Sequence, residues 1–253
     1  MSKMHCVSAT AVMRDAPNDT ATTVSEVLFG EELSIVAEAA SGFSEVRSTH
    51  DQYSGFIRNT VLAPRNTPAT HRVNVRSTLV FPEPGVKHPP LLRLPFAARV
   101  SLVGGQGDQP WQHDHDGRWF YRSHLSEIDL PEATSPLDLA KRMFAGAPYL
   151  WGGRSSDGCD CSGLVQVVHA ACGIALPRDS GDQEVSLSHE VTLDDWQPGD
   201  LVFWPGHVAL LKDRTTVRHA NAHSLSVVDE PLSDVIARAG AISSVRRPVL
   251  NDL

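Results

Sequence analysis

Short apolar runs separated by turn-forming residues fill the first quarter of the chain. Four such runs cover positions 26–29, 33–36, 43–46 and 54–57. Short strands at this spacing are typical of a small all-β barrel or sandwich. The pattern therefore predicts a first β domain over residues 1–66, and the proline-containing stretch 63–70 is interpreted as a linker.

Short apolar runs separated by turn-forming residues occur again between residues 73 and 128. The run 99–103 precedes the turn pair Gly104-Gly105, and the pair Asp116-Gly117 precedes the run 118–121. We therefore predict a second small all-β domain over residues 67–130.

The spacing of apolar residues becomes helical at about residue 136. The positions that share one helical face are Leu137, Ala140, Met143 and Phe144. Ser135 and Pro136 are suited to cap and start this helix. Two strand-like runs, 201–204 and 208–211, follow later and are joined by the turn pair Pro205-Gly206. The third domain, residues 131–253, is therefore predicted to be α+β.

Composition narrows the class of protein. The chain has 253 residues, 41% hydrophobic residues and a formal net charge of -8. The acidic balance argues against a nucleic-acid partner and against a basic membrane anchor. The first residues lack the apolar core of a signal peptide, and no stretch is apolar enough to span a membrane, so we expect a cytoplasmic protein. The uneven spacing of the four cysteines favours reduced thiols over a disulfide framework.

Cys161 is the first candidate for a nucleophile. The apolar residues Leu164, Val165 and Val168 have helical spacing, which predicts a buried helix from Cys161 to about Ala171. Backbone N–H groups at a helix start stabilise a thiolate, so we expect a lowered cysteine pKa at this position. The same N–H groups can form an oxyanion hole. The alternative is a buried structural thiol without a catalytic role.

Two histidines downstream are spaced as partners. A β-hairpin turning around Asp213 would place His207 opposite His219, with Cβ atoms about 5 Å apart on one face. A shift of one residue would separate them onto opposite faces. We predict that His207 takes the proton of Cys161 and that His219 orients the His207 ring.

Several short blocks occur in an order that resembles a known family. They are 149–153 (Tyr-Leu-Trp-Gly-Gly), 160–165 (Asp-Cys-Ser-Gly-Leu-Val), 176–180 (Leu-Pro-Arg-Asp-Ser), 198–204 (Pro-Gly-Asp-Leu-Val-Phe-Trp), 206–209 (Gly-His-Val-Ala) and 219–220 (His-Ala). The third domain resembles the NlpC family of cell-wall cysteine peptidases on these blocks. The resemblance implies a papain-like α+β catalytic domain, preceded by two small all-β SH3-like barrels.

The resemblance also implies roles for individual residues. Cys161 corresponds to the family nucleophile, His207 to the base and His219 to the third polar residue. Tyr149 resembles a tyrosine that lies near the active site. Asp160 and Ser162 resemble substrate-contacting positions, and the Asp160 carboxylate is chemically suited to receive a free α-amine.

Two further substrate contacts follow from the resemblance. Ser180 lies where relatives line the diamino-acid side of the site. Tyr53, the one tyrosine of the first segment, corresponds to a tyrosine that helps to close the site around a terminal L-Ala. The alternative for Tyr53 is an aromatic residue of the barrel core.

The function implied is hydrolysis of the γ-D-glutamyl to L-diamino acid bond in murein peptides with a free N-terminal L-Ala, during cell-wall recycling. No cofactor and no metal are expected, and the expected partner is the murein peptide, with the oligomeric state left open. An exported hydrolase or amidase acting on intact peptidoglycan is one alternative. A non-catalytic wall-binding protein is another, and a zinc site of cysteines and histidines is disfavoured by their spacing.

Overall fold

The computed structural model describes residues 3–39, 41–64, 67–105 and 107–249. This part of the chain forms two compact units, which divide between Leu130 and Pro131. Within the described residues, no helix is long and apolar enough to span a membrane.

The first unit begins with one antiparallel sheet. Its strands are β1 (Lys3–Cys6), β2 (Thr10–Arg14), β3 (Thr23–Leu28), β4 (Glu32–Glu38), β5 (Phe43–Ser48), β6 (Ser54–Arg58) and β7 (Leu62–Pro64). The order in the sheet is β3-β2-β6-β5-β4-β1-β7. Alternate strand residues such as Met13, Leu33, Val46 and Ile57 form the core. The four strands predicted from the apolar runs are confirmed.

The predicted linker begins too early. Ala63 and Pro64 belong to β7, where they pair with His5 and Met4 of β1. Pro64 is tolerated because β7 is an edge strand of the sheet. Residues 65 and 66, which carry the predicted boundary between the first two domains, lie outside the described residues.

The remainder of the first unit consists of short strands. They are β8 (His71–Val73), β9 (Ser77–Val80), β10 (Leu92–Pro95), β11 (Arg99–Val100), β12 (Trp111–His113), β13 (Trp119–Tyr121) and β14 (Leu125–Glu127). They form a pair β10-β9, a sheet β11-β8-β14 and a pair β12-β13. The run 99–103 is a strand only at its start, and Leu102 makes an isolated bridge to Asp114.

Phe29 connects the two halves of this unit. Its ring belongs to the apolar core of the later strands of this unit, together with Val73, Leu94 and Phe120. The guanidinium carbon of Arg118 lies 5.0 Å from the centre of the Phe29 ring. Residues 3–130 therefore share packing across the predicted domain boundary, and the division at residue 66 stays a prediction.

The second unit combines helices with one antiparallel sheet. Its elements are α1 (Pro136–Phe144), β15 (Arg154–Ser155), β16 (Gly158–Cys159), α2 (Cys161–Ala171), α3 (Ser180–Ser186), β17 (Leu201–Trp204), β18 (His207–Asp213), β19 (Thr216–Asn221), β20 (Ser226–Pro231), α4 (Leu232–Ala239) and β21 (Ser244–Arg246). The sheet order is β20-β19-β18-β17-β21.

Helices α1 and α2 of this unit agree with the sequence pattern. The hydroxyl of Ser135 caps α1 by accepting the N–H of Asp138 at 3.1 Å, and Pro136 occupies the first turn. The helix predicted from Cys161 to Ala171 is confirmed as α2. Nearly every residue of α2 is buried, and its buried polar side chains Gln166 and His169 are hydrogen-bonded within the unit. It lies against β18 and β19 and so carries residue 161 to the sheet.

Candidate active site

Cys161 is the first residue of α2 and is 7% exposed. The helix starts here because the carboxylate of Asp160 accepts the N–H of Gly163 at 2.7 Å, an N-cap interaction. Gly163 is required at its position, because an added Cβ would lie 2.2 Å from the carbonyl oxygen of Gly153. The glycines around the nucleophile thus permit close approach of two backbone segments.

Asp160 is also one half of a buried ion pair. Arg178 donates to both of its carboxylate oxygens, at 3.0 Å and 2.6 Å, and the N–H of Gly152 donates to Oδ2 at 2.8 Å. Arg178 donates in addition to the hydroxyl of Ser162 at 2.9 Å. A planar guanidinium fits this two-point contact, which fixes Asp160 and Ser162 on either side of Cys161. Sequence reasoning assigned no role to Arg178, although it lies in one of the family-like blocks.

The two predicted histidines are in direct contact. Nε2 of His207 lies 2.7 Å from Nδ1 of His219. The ring of His219 is 1% exposed, whereas His207, at the start of β18, is partly exposed. The predicted pairing of these residues on one face of a hairpin is therefore observed.

The predicted register of that hairpin is wrong. The turn lies at residues 214–215 rather than around Asp213, and Leu210 stands opposite Arg218. This register makes His207 and His219 diagonal neighbours instead of direct ones. A β-bulge between Leu211 and Asp213 shifts the pairing by one residue. Because side chains alternate along a strand, this shift is what returns both imidazoles to the same face.

The thiol of Cys161 lies against the start of β18. The backbone N–H groups of Val208 and Ser162 both bond to it. Since Val208 directly follows His207, α2 and β18 bring the sulfur to the strand end that carries the imidazole. The structure therefore brings together the three residues predicted as catalytic, Cys161, His207 and His219, although 58 residues separate the first from the last.

The protonation states differ from the sequence-based expectation. Burial, reinforced by the Asp160 carboxylate, raises the pKa of Cys161 to about 11, although the N–H groups of Val208 and Ser162 act in the opposite direction. The expected lowering of this pKa is therefore wrong, because desolvation outweighs the helix start. Burial also lowers the pKa of His207 to about 4. At neutral pH the pair consists of a protonated thiol and a neutral imidazole.

The hydrogen-bond network continues beyond His219 through three residues to which the sequence analysis assigned no role. Glu230 Oε2 lies 2.9 Å and Asn221 Nδ2 lies 2.8 Å from Nε2 of His219. Arg238 of α4 donates two hydrogen bonds to Glu230, both 2.8 Å long. Val228 stands directly opposite His219 across β19 and β20, so Glu230, two residues further along, shares the face of His219. The contact between Glu230 and His219 depends on the pairing register of β19 and β20, which the sequence analysis did not predict.

Tyr149 lies close to the candidate nucleophile. Burial, followed by the charges of Cys161 and Asp160, raises the pKa of Tyr149 to about 12, so its phenol remains a hydrogen-bond donor. Ser162, buried in the first turn of α2, accepts from Arg178 as described. Ser180 is the first residue of α3 and is 9% exposed. Contact of these side chains with a substrate stays a prediction.

Tyr53 belongs to the first unit. Its side chain packs against the core of the first sheet, and its N–H donates to Asp51 at 3.1 Å. This location is the one expected of a barrel-core aromatic, and a role towards the substrate stays a prediction. Cys159, two residues before the nucleophile, is fully buried in β16. Within the described ranges, no three histidine, cysteine or acidic side chains are grouped as a metal ion would require.

Comparisons with known proteins agree with this geometry. A family model described as the NlpC/P60 family matches residues 146–245, which include Cys161, His207 and His219. A second model, described as the bacterial dipeptidyl-peptidase Sh3 domain, matches residues 13–62.

Curated relatives carry peptidase names. The chain is 29% identical to dipeptidyl-peptidase 6 of Lysinibacillus sphaericus over 81% of its own length and 82% of that protein. It is 36% identical to gamma-D-glutamyl-L-lysine dipeptidyl-peptidase of Bacillus cereus over 51% of its own length. That second match spans 40% of the relative.

A solved structure shares the fold. The crystal structure of an NlpC/P60 family protein from Bacillus cereus superposes with a TM-score of 0.83 at 21% identity. The superposition covers 98% of this chain and 99% of the other.

Proposed function

We propose, from the premise that this chain belongs to the NlpC/P60 family of cysteine peptidases, that it hydrolyses the γ-D-glutamyl to L-diamino acid bond of murein peptides. The substrate would be a short peptide with a free N-terminal L-Ala, followed by γ-linked D-Glu and then meso-diaminopimelate or L-Lys. The same proposal assigns residues 131–253 to a papain-like α+β catalytic domain and the residues before them to two SH3-like barrels.

One observation carries the catalytic part of this proposal. The Cys161 thiol accepts the backbone N–H of Val208, the residue that follows His207, and Nε2 of His207 contacts Nδ1 of His219. A nucleophile, a base and a group that orients the base are the parts that nucleophilic acyl transfer requires. No cofactor enters this chemistry.

The protonation states define the first step. Because the thiol is protonated and His207 is neutral, the sulfur attacks the γ-carbonyl carbon as its proton passes to His207. The resulting imidazolium then gives that proton to the departing amine of the diamino acid. Water hydrolyses the thioester, with His207 acting as base for the second time. N–H groups at the start of α2 are suited to stabilise the tetrahedral oxyanion.

The substrate part rests on the relatives and on the residues around Cys161. The Bacillus cereus relative is named for the γ-D-glutamyl-L-lysine bond. Asp160, Ser162 and Tyr149 place a carboxylate, a hydroxyl and a protonated phenol around the thiol. These groups suit a ligand that carries an ammonium group and a carbonyl. The role in cell-wall recycling and the cytoplasmic location belong to the same proposal.

Three substrates test the proposal. They are L-Ala-γ-D-Glu-meso-diaminopimelate, the same peptide acetylated on its N-terminus, and intact insoluble murein. We expect the free peptide to be cleaved to L-Ala-γ-D-Glu and diaminopimelate. Acetylation should lower kcat/KM by at least about 100-fold, because it removes the charged amine. The L-Lys form of the peptide would measure the preference at the third position.

The controls separate the alternatives. Cys161→Ala should abolish cleavage, whereas Cys172→Ala should retain it, because that thiol lies at the opposite end of α2 from Cys161, where it donates to the carbonyl of Thr134. Equal cleavage of the free and acetylated peptides would contradict recognition of the amine. Preferential release from intact murein would favour an exported hydrolase. No cleavage of any substrate would favour a wall-binding protein.

A further inference from the structure

The hydrogen-bond chain of the candidate site continues past His219 to a carboxylate. Glu230 lies 2.9 Å from Nε2 of the buried His219 ring. The guanidinium of Arg238 holds this carboxylate with two bonds of 2.8 Å. The side chain of Glu230 is 15% exposed. Arg238 of α4 therefore fixes the position of the Glu230 carboxylate, and one oxygen of that carboxylate contacts His219.

A second group competes for the same nitrogen. Nδ2 of Asn221 lies 2.8 Å from Nε2 of His219. The orientation of this amide is fixed, because the N–H and the hydroxyl of Ser224 both donate to Asn221 Oδ1 at 2.7 Å. The amide therefore points its donor at His219, whereas Glu230 points an acceptor. One ring nitrogen can satisfy only one of them.

The two choices have opposite consequences for catalysis. If His219 donates from Nε2 to Glu230, its Nδ1 is unprotonated and accepts a hydrogen bond from the Nε2–H of His207. His207 Nδ1 then carries a lone pair and can receive the thiol proton of Cys161. If His219 accepts from Asn221 instead, its proton lies on Nδ1 and is donated to His207. His207 would then carry its own proton on Nδ1 and could not act as a base.

The carboxylate is the stronger partner. The hydrogen bonds from Arg238 lower the pKa of Glu230 to about 2, so it is ionised at neutral pH. A hydrogen bond to an ionised acceptor is roughly twice as strong as one between neutral groups. The neutral Asn221 amide is therefore outcompeted while the Glu230 carboxylate is present.

We infer that Glu230 is a positioning residue, which selects the tautomer of the His219–His207 pair that leaves His207 able to accept the proton of Cys161. The inference rests on the proposed function for its kinetic consequence. The tautomer itself is a property of the free protein.

The primary test is ¹⁵N NMR of the histidine rings at neutral pH in the whole chain, with His207→Gln and His219→Gln used to assign the signals. We expect the proton of His207 on Nε2 in the unchanged protein. A proton on Nδ1 would overturn the inference. Because this measurement needs no substrate, it can fail or succeed independently of the proposed peptide specificity.

The isosteric variant Glu230→Gln supplies the second test. Its neutral amide no longer outcompetes Asn221, so we expect part of the His207 population to carry the proton on Nδ1. The value of kcat should fall about 100-fold with KM changed less than about threefold. Loss of kcat with an unchanged tautomer would indicate a merely structural role and would contradict the inference. An unchanged kcat together with an unchanged tautomer would do the same.

Asp229→Asn is the matched control. Asp229 is the neighbouring carboxylate on β20 and accepts from Arg218 and Lys212, at 2.9 Å and 3.0 Å, away from the histidines. This variant loses a comparable ion pair but should keep the His207 tautomer and kcat. If Glu230→Gln fails to fold, the spectrum of the unchanged protein decides the question alone.

Discussion

The carboxylate of Asp160 is held by the guanidinium of Arg178 through two hydrogen bonds inside the second unit. The Asp160 side chain is 9% exposed and that of Arg178 is 1% exposed. Asp160 also caps α2 and accepts the N–H of Gly152. Its charge thus has a structural partner in addition to the substrate amine proposed for it.

Removing Arg178 should therefore destabilise the protein. In Arg178→Leu, the buried Asp160 carboxylate loses its counter-charge, and we expect the free energy of unfolding to fall by about 3–5 kcal/mol. Urea unfolding would measure this loss. Lys212→Ala is the control, because its ion pair with Asp229 is 44% exposed on the lysine side and should contribute less than about 1 kcal/mol. Equal losses in the two variants would contradict the prediction.

The activity should survive in mildly acidic solution. His207 acts as a base only when neutral, so activity falls as the pH drops through its pKa. Burial lowers that pKa to about 4 from an ordinary value of 6.5. We expect kcat/KM to remain near its plateau down to about pH 5 and to fall below it. A half-maximal rate near pH 6.5 would show that the imidazole is not desolvated in this way.

Stability should decrease as the pH falls, because of buried histidines. His169 is 1% exposed, its Nδ1 lies 2.8 Å from the carbonyl of Val165, and burial lowers its pKa to about 4. Between its unfolded pKa, about 6.5, and its folded pKa, about 4, the unfolded chain binds a proton that the folded chain does not. The native state therefore loses stability as the pH falls through this window.

The expected loss from His169 is about 2 kcal/mol between pH 7 and pH 5. Urea unfolding at the two pH values would measure it, and His169→Gln should remove this part of the dependence. His223→Gln is the control for the substitution itself, since that side chain is exposed. An identical dependence in all three proteins would contradict the assignment.

The packing inside the first unit should be sensitive to one glycine. Gly30 has a φ of +75°, and an added Cβ would lie 1.9 Å from the carbonyl oxygen of Arg99. Gly42 has a φ of +76° but nothing within 4 Å of such an atom. Gly42→Ala should cost about 1 kcal/mol for the left-handed backbone alone. Gly30→Ala should cost several kcal/mol more, as measured by thermal unfolding, and equal costs would contradict the close contact.

The apolar pattern predicted four elements of the second unit. Helices α1 and α2 and strands β17 and β18 all follow from local spacing, because amphipathic periodicity and helix caps are properties of neighbouring residues. The spacing of Cys161, His207 and His219 also indicated which residues to expect in the site. The roles of Arg178 and Glu230 were missed because each depends on a partner distant in sequence.

The sequence by itself determined that a helix begins at Cys161 and that two histidines occupy neighbouring strands. Only the tertiary structure decided how those histidines meet, since the bulge between Leu211 and Asp213 sets the face on which they lie. It also decided the charge states, because the pKa values of Cys161 and His207 follow from burial. Burial and register arise from contacts between distant segments, and local sequence patterns do not encode them.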